Sequence, residues 1–319
     1  MPWFQGQPAN AIFSTVIARI EEKIHAGIDK QHLPASIAGY AYAMRKTETE
    51  YAAKLCIFLA VIEWMETNRQ AGAFELYGAP PLLGAMYEHH YERKSPFRAS
   101  SPAVNRIVNF CNLAFLLCVG LVWVLIRTRP FHKSGRPFAM AFDSLGERPE
   151  QAVMERLFPD RQQDILLVCR NRNAKQKAQQ LFGDTYALTV LSSARVSVSA
   201  AAATLTQFTR DILSIWYKLS PVEAPLFAGI CRLALKRAFY RCFFSAYAVQ
   251  RFWGRDEYSA DHIIRNQELR KSGGKSFGLL HGVPINSFQQ EWREIDCDVF
   301  FVSNLLLYKK YYQQAWPDT

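Results

Sequence analysis

The sequence predicts an α/β fold, with a doubly wound parallel sheet preceded by an inserted hydrophobic helix. In the region 134–319, short apolar runs alternate with amphipathic stretches that have helical spacing. The runs are continuously apolar, as in strands that are buried on both faces by crossover helices. With 319 residues, half of them apolar, the chain is long enough for one large or two ordinary domains.

The region 1–100 predicts a helical part followed by an α–β–α unit. Apolar residues at helical spacing indicate a long helix from Glu48 to about Arg69. The stretch "AFELYGAPP" then predicts a short strand, because Gly78 and two prolines close it. A second helix is predicted from Leu82 to about Glu92.

The region 103–128 predicts a hydrophobic helix that associates with a membrane. Its apolar segment runs from Ile107 to Ile126, and basic residues flank both ends. The uninterrupted apolar part, Leu113 to Ile126, is shorter than the roughly 20 residues that span a bilayer. We expect a monotopic helix in the cytoplasmic leaflet, with its basic flanks on anionic head groups. A spanning helix and a buried core helix are the alternatives.

The region 134–319 predicts a Rossmann-like lobe. The run "RPFAMAFDSLGERPE" indicates a strand that ends at Asp143, and two helices between about 200 and 246 are divided by Pro221 and Pro225. A final helix is predicted in "LLLYKKYYQQAW". The other strands are predicted in "DILLVCR", "YALTVLS", "AVQRFWG", "KSFGLLHG" and "DVFFVSN".

The segment "SGGKS" is not a nucleotide-binding P-loop, although it ends in Gly-Lys-Ser. A P-loop needs a first glycine five positions before Gly274, where Leu269 stands, and it runs from a strand into a helix. Here the preceding "SADHIIRNQELRK" predicts a helix, with Ser259 as its N-cap and Gly273 at its end. We therefore interpret the glycines as a helix C-cap before a strand.

Charge and cysteine content limit the partners and the compartment. The net charge of +10 predicts an anionic partner, but the basic residues occur singly and in pairs rather than in a dense block. This pattern favours a membrane surface or a phosphate-bearing substrate over nucleic acid. Seven scattered cysteines without a C-x-x-C pair indicate buried thiols in a reducing compartment, and the N-terminus lacks the pattern of a secretory signal.

The candidate site lies at the carboxyl ends of the predicted strands, where doubly wound sheets bind ligands. Three places follow strands: Asp143, the run Gly254–Tyr258, and the pair His281-Gly282. A histidine at this edge is suited to act as a general base near neutral pH, and Gly282 would allow close approach of a ligand. The alternative for His281 is a loop histidine bonded to a backbone carbonyl.

The stretch "GRDEYSADHIIRNQELRKSGGKSFGLLHG" resembles bacterial surface-polysaccharide and capsule biosynthesis proteins with a GT-B-like architecture. It is more distantly similar to the CDP-glycerol glycerophosphotransferases. The similar features, in order, are an aspartate–tyrosine turn, a helix, a Gly-Gly-Lys turn and a strand that ends in His-Gly. They cover about 30 residues and continue weakly through "DVFFVSN" to Tyr311.

The resemblance implies a transferase that uses a nucleotide-activated sugar as co-substrate, without a further cofactor. It implies that His281 deprotonates the acceptor hydroxyl, and Asp256 and Tyr258 match the aspartate–tyrosine turn. From their charge, we expect Arg255 and Arg265 to contact phosphate groups. A glycan or lipid-linked acceptor would suit a protein on the cytoplasmic face of the inner membrane.

Two departures from the family pattern change these expectations. The sequence has His-Gly-Val-Pro where the glycerophosphotransferases tend to have His-Gly-Thr-Pro, which disfavours a polyol-phosphate substrate. A GT-B enzyme also has a second, donor-binding lobe, which would follow Thr319. We therefore expect an acceptor-side lobe, and the alternative is a non-catalytic, membrane-associated adaptor or degenerate enzyme in envelope assembly.

Two other groups of residues are typical metal ligands, but neither predicts a metal site. Asp296 and Asp298 form a D-x-D pattern before a strand, so their carboxylates would point away from the carboxyl edge of the sheet. His89 and His90 are neighbours whose side chains diverge on a helix.

Overall fold

The structure is a computed structural model that describes residues 39–67, 76–92, 94–129, 136–145, 164–254, 259–279 and 295–302, and the single residues 156, 306 and 309. These residues form a mixed α/β structure with parallel sheets and seven helices. The helices are α1 (Ala41–Thr67), α2 (Pro81–Tyr91), α3 (Pro102–Arg127), α4 (Arg172–Phe182), α5 (Val198–Leu219), α6 (Ala224–Ala246) and α7 (Asp261–Lys271). The strands are β1 (Leu76–Ala79), β2 (Phe97–Ala99), β3 (Arg136–Phe138), β4 (Met140–Ser144), β5 (Ile165–Cys169), β6 (Ala187–Val190), β7 (Tyr247–Val249), β8 (Arg251–Gly254), β9 (Lys275–Leu279) and β10 (Val299–Phe301).

The largest sheet has six strands in the order β10-β9-β8-β4-β5-β6. Every neighbouring pair in it is parallel. The strand order reverses between β4 and β8, because β5 and β6 follow β4 on one side while β9 and β10 follow β8 on the other. The predicted parallel α/β architecture is thus confirmed at the level of a parallel sheet with connecting helices.

Helices pack on both faces of this sheet. On one face, Phe142 and Leu167 pack with Ala178 and Phe182 of α4. On the other face, Phe252 contacts the rings of Phe243 and Phe244 in α6. The two faces explain why "ILLVC" of β5 is continuously apolar and buried throughout.

Some predicted strands are divided in the structure. The first predicted strand of the lobe forms β3 and β4, which are separated at Ala139, and "AVQRFWG" forms β7 and β8, which are separated at Gln250. β3 pairs with β7 in a separate two-stranded sheet, while β4 and β8 belong to the large sheet. A further two-stranded sheet pairs β1 with β2, a three-residue strand without a sequence signal.

The chain divides into two compact units, each built from discontinuous segments. The first comprises residues 1–115, 212–231 and 284–294, and the second comprises residues 116–211, 232–283 and 295–319. Both boundaries between 200 and 240 fall inside helices, at positions where the sequence gives no linker signal.

The interpretation of "SGGKS" as a helix end is confirmed. α7 ends at Lys271, Gly273 has a φ of +82°, and β9 begins at Lys275. The predicted N-cap is wrong by one residue, since Ala260 precedes the helix. The Ser259 hydroxyl has no hydrogen-bond partner, and its carbonyl oxygen lies 2.6 Å from Nδ1 of His262 instead.

Candidate functional site

Asp143 and Gly254 lie beside each other where the strand order reverses. The register pairs Ala141 with Phe252 and Phe142 with Trp253, and the next step along both strands brings Asp143 next to Gly254. In open parallel sheets, ligands bind in the crevice outside this point. The structure therefore puts one predicted site residue, Asp143, at the edge where a ligand is expected.

Arg170 follows β5 and faces Asp143 across this edge. Its Nη2 atom lies 3.7 Å from Oδ2 of Asp143, whose side chain is mostly buried. The next residue, Asn171, accepts a hydrogen bond from the backbone N–H of Ala174 at 2.8 Å, and so caps the first turn of α4. The carboxyl edge thus carries a buried carboxylate and a half-exposed guanidinium within ion-pair distance.

Arg265 reaches the same edge from α7. Its side chain is buried, and its guanidinium carbon lies 4.5 Å from the centre of the Phe252 ring. The guanidinium also lies against Gly254, where a Cβ atom would come within 2.7 Å of Cζ. Only glycine leaves room for it, so Gly254 and Arg265 form one structural unit at the end of β8.

The other predicted site residues lie outside the described residues. These are Arg255, Asp256, Tyr258, His281 and Gly282. Their predicted roles remain predictions.

The D-x-D pair takes part in a network of ion pairs and hydrogen bonds. Arg270 bridges the pair, with Nη1 2.7 Å from Asp296 and Nε 2.9 Å from Asp298. Asp298 also accepts hydrogen bonds from the backbone N–H and the hydroxyl of Ser276, at 2.6 and 2.7 Å. These contacts connect the segment before β10 to β9 and to the end of α7.

The two aspartates differ in their pKa shifts. Burial raises the pKa of Asp296, against the opposing effect of the Arg270 charge. For Asp298, burial also acts to raise the pKa, but the hydrogen bonds from Ser276 and Arg270 outweigh it, so the pKa is lowered. Asp298 is therefore the carboxylate that this network stabilises in its charged form.

Among the described residues, six cysteines form no disulfide. Cys169, Cys231, Cys242 and Cys297 are buried, as predicted, whereas Cys111 and Cys118 are exposed on α3. Burial raises the pKa of Cys231 to about 12 and that of Cys242 to about 11. The thiols of Cys231 and Cys242 are thus protonated, inert packing groups near neutral pH. Among the described residues, no group of three or more His, Cys, Asp or Glu side chains is arranged to hold a metal ion.

Two polar side chains of α3, those of Asn105 and Asn109, are turned toward the protein. Asn109 is fully buried, and its amide donates to the backbone carbonyls of Ser220 and Val222 at 2.9 and 2.7 Å. Asn105 is also buried, and its Oδ1 accepts a hydrogen bond from the Ser100 hydroxyl at 3.1 Å. Both amides therefore bind protein groups instead of solvent.

The opposite side of α3 is apolar and exposed. We call it the outer face; its large residues, each 41 to 68% exposed, are Val104, Ile107, Val108, Phe115, Val122, Leu125 and Ile126. Exposed arginines lie at both ends, with Arg106 in the first turns and Arg129 just after the last. Of the described helices, α3 is the one that is long and apolar enough to cross a membrane, and 28% of its apolar stretch is buried. Its composition is compatible with membrane association, and also with the core helix of a soluble protein.

Comparisons with known proteins do not identify a family. A scan against protein-family models, a search of curated proteins and a search of solved structures each found no match to this chain.

Proposed function

We propose that this protein is a glycosyltransferase-like protein of surface-polysaccharide biosynthesis that works on the cytoplasmic surface of the inner membrane. The outer face of α3 attaches it to that surface. The carboxyl edge of the sheet binds a nucleotide-activated sugar or its acceptor. His281 is the general base that deprotonates the acceptor hydroxyl.

The polarity of α3 is the observation that carries the membrane attachment. In water, a helix buries its apolar side and exposes its polar side. α3 departs from this rule. It buries Asn105 and Asn109 together with Leu113, Leu116 and Val124, while its apolar outer face is exposed. A row of large apolar side chains of this length is typical of a surface that contacts another apolar phase.

A position within one leaflet fits α3 better than a membrane span does. α3 packs on α5, where the ring of Phe208 fills the space beside Gly120, and on α6 through Trp123 and Phe239. α5 carries the exposed Arg210 two residues after Phe208. A spanning α3 would carry this charge into the bilayer, at a cost of about 2.5–3.5 kcal/mol. An in-plane helix leaves it on the water side.

The strand order supports ligand binding at the carboxyl edge. Counted along the chain, the strands of the large sheet follow the order 3-2-1-4-5-6 of Rossmann-like folds. Asp143 and Gly254 flank the reversal, and the residues that resemble the polysaccharide-biosynthesis family follow β8 and β9. The transferase chemistry itself rests on that resemblance.

Liposome flotation tests the membrane attachment. The double variant Phe115→Glu, Val122→Glu puts charges on the outer face without touching a buried side chain. We expect binding to vesicles with anionic lipids to fall at least 100-fold, because about 1.5–3 kcal/mol of apolar burial is lost at each position. Gln176→Glu, Gln180→Glu on the exposed side of α4 is the control with the same charge change. Equal flotation of the two double variants would refute the attachment through α3.

Complementation of a strain that lacks the gene tests the catalytic role. The wild-type chain should restore the surface polysaccharide, His281→Ala should not, and His90→Ala should restore it as the matched histidine control. Both variants must accumulate to wild-type levels. Full restoration by His281→Ala would exclude the general-base role and favour the non-catalytic adaptor.

A further inference from the structure

We propose that Arg265 binds a phosphate group of the substrate in the crevice beside Gly254. This inference rests on the proposed function, since it assigns the recognition of phosphate to one described residue of that site. The inference depends on the position and the hydrogen bonds of the guanidinium, and not only on its positive charge.

Arg265 is a buried cation with unused hydrogen-bonding capacity. Its residue surface is only 3% exposed. Nε donates to Oδ1 of Asn266 at 2.9 Å, and the planar group lies over the Phe252 ring. The buried Nη2 atom has no hydrogen-bond partner. A buried donor without an acceptor costs free energy, and the cost is larger when the donor is charged. Nη2 therefore requires an acceptor.

The nearby carboxylates are engaged by other arginines. Asp143 lies 3.7 Å from Arg170. Asp296 is within electrostatic range of Arg265, but its carboxylate forms its ion pair with Arg270 at 2.7 Å. Neither aspartate accepts a hydrogen bond from Arg265 among the described residues. The acceptor that Nη2 lacks is therefore not supplied by these two carboxylates.

The position of the guanidinium points to a ligand. It lies against Gly254, the last residue of β8, next to the reversal of strand order where ligands of open α/β sheets bind. Nη2 is the guanidinium atom nearest to the place that a Gly254 side chain would fill. The absence of a side chain at Gly254 thus leaves the space that this donor occupies beside the end of β8.

Phosphate is the ligand group that matches this donor. A guanidinium is permanently charged and offers paired N–H donors that fit two oxygens of a phosphate. Such a phosphate is present both in a soluble nucleoside diphosphate and in a lipid-linked acceptor. Both sources present the same chemistry to Arg265.

Binding measurements on the full chain test the assignment. Calorimetry on the chain in detergent uses pyrophosphate and uridine diphosphate as probes. Flotation, after the detergent has been removed, uses vesicles with or without phosphatidic acid. We expect saturable, Arg265-dependent binding of at least one phosphate probe, weakened tenfold or more by Arg265→Gln. Arg232→Gln, at an exposed position of α6, loses the same charge and should bind as the wild type does. Dependence in the calorimetric arm indicates a soluble phosphate, and dependence confined to phosphatidic acid indicates a lipid phosphate.

Hydrogen–deuterium exchange of the wild type provides a second measurement that does not need a folded variant. The bound phosphate should slow exchange in 251–254 and 261–271, and leave 172–182 unchanged. Wild-type binding without Arg265 dependence, protection elsewhere, or no saturable binding of any probe would overturn the assignment. The same preparations are also tested by flotation on vesicles that contain another anionic lipid in place of phosphatidic acid. This measurement separates a failure of the Arg265 assignment from a failure of the membrane attachment.

Discussion

Two long helices that are rich in apolar residues, α3 and α6, have opposite surroundings. α6 buries its apolar side chains, among them Phe227, Ile230 and Phe243. α3 exposes large apolar side chains along its outer face and buries two asparagines. The average apolar content of a helix therefore does not tell which side faces the protein.

The charged residues of α6 explain the difference. Arg237 is almost fully buried and lies 3.2 Å from Glu268 of α7, and Arg241 lies 2.9 Å from the same carboxylate. Lys236 pairs with Asp261 at 2.6 Å. Acidic partners on α7 thus hold α6 inside the protein. Between Ile107 and Ile126, α3 has no charged residue. Its buried side chains include Leu113, Leu116 and Val124 besides the two asparagines.

The largest expected contrast is between a phenylalanine of each helix. Phe227→Ala should lower the free energy of unfolding by about 3–5 kcal/mol, because it opens a cavity at a fully buried position. Phe115→Ala should leave the free energy of unfolding in detergent nearly unchanged and reduce vesicle binding about tenfold or more. Urea unfolding and flotation measure the two effects. Equal destabilisation by Phe227→Ala and Phe115→Ala would contradict the difference in burial between the two helices.

Glu268→Gln tests the ion pairs of α6. The substitution leaves Arg237 and Arg241 without their countercharge, so we expect a loss of about 3–5 kcal/mol in the free energy of unfolding. Asp261→Asn removes the more exposed pair with Lys236 and should cost about 1 kcal/mol or less. A smaller effect of Glu268→Gln than of Asp261→Asn would show that the buried cluster does not hold α6.

Asn109→Ala tests the inward side of α3. The backbone carbonyls of Ser220 and Val222 lose the donor that the fully buried Asn109 provides, so the free energy of unfolding should fall by about 1–3 kcal/mol. Asn112→Ala, at a half-exposed position of the same helix, is the control and should cost less. If Asn109→Ala changes vesicle binding but leaves the free energy of unfolding unchanged, then Asn109 faces lipid and our assignment of the two sides is wrong.

Glu223→Gln has the smallest expected effect and concerns the start of α6. Burial raises the pKa of Glu223, although the N–H of Leu82 donates to its carboxylate and opposes the shift. A raised carboxyl pKa contributes stability below the unfolded value of about 4.3 and loses it as the pH rises through the folded value. The variant should therefore be more stable relative to the wild type at pH 8 than at pH 4. Urea midpoints of the two proteins at pH 4 and pH 8 measure the stability difference. The same difference at both pH values would contradict the raised pKa of Glu223.

Local patterns predicted most of the elements of the large sheet. Strands such as "DILLVCR" were identified because they are buried on both faces, and the helix end at Gly273 because its left-handed φ favours glycine. β2 was not predicted, because a strand of three residues is too short to show a hydrophobic period. The division at Ala139 and Gln250 was missed because a change of pairing partner leaves no local signal.

The candidate site shows the same limit. The sequence alone identified Asp143 at the carboxyl end of a strand, and Arg265 as a charge within the resembling stretch that could contact phosphate. It did not bring Asp143 beside Gly254, because these residues lie on strands over 100 residues apart. It also did not place the guanidinium of Arg265 against Gly254, because the packing of a helix on a strand has no local sequence signal.

The sequence by itself determined the α/β class, the order of helices and strands and the apolar stretch of α3, since these depend on the period and composition of short segments. The tertiary structure decided the strand order, the pairing of α6 with α7, and which side of α3 is exposed. These features depend on contacts between distant residues, and the same apolar segment is stable in several surroundings until its neighbours select one.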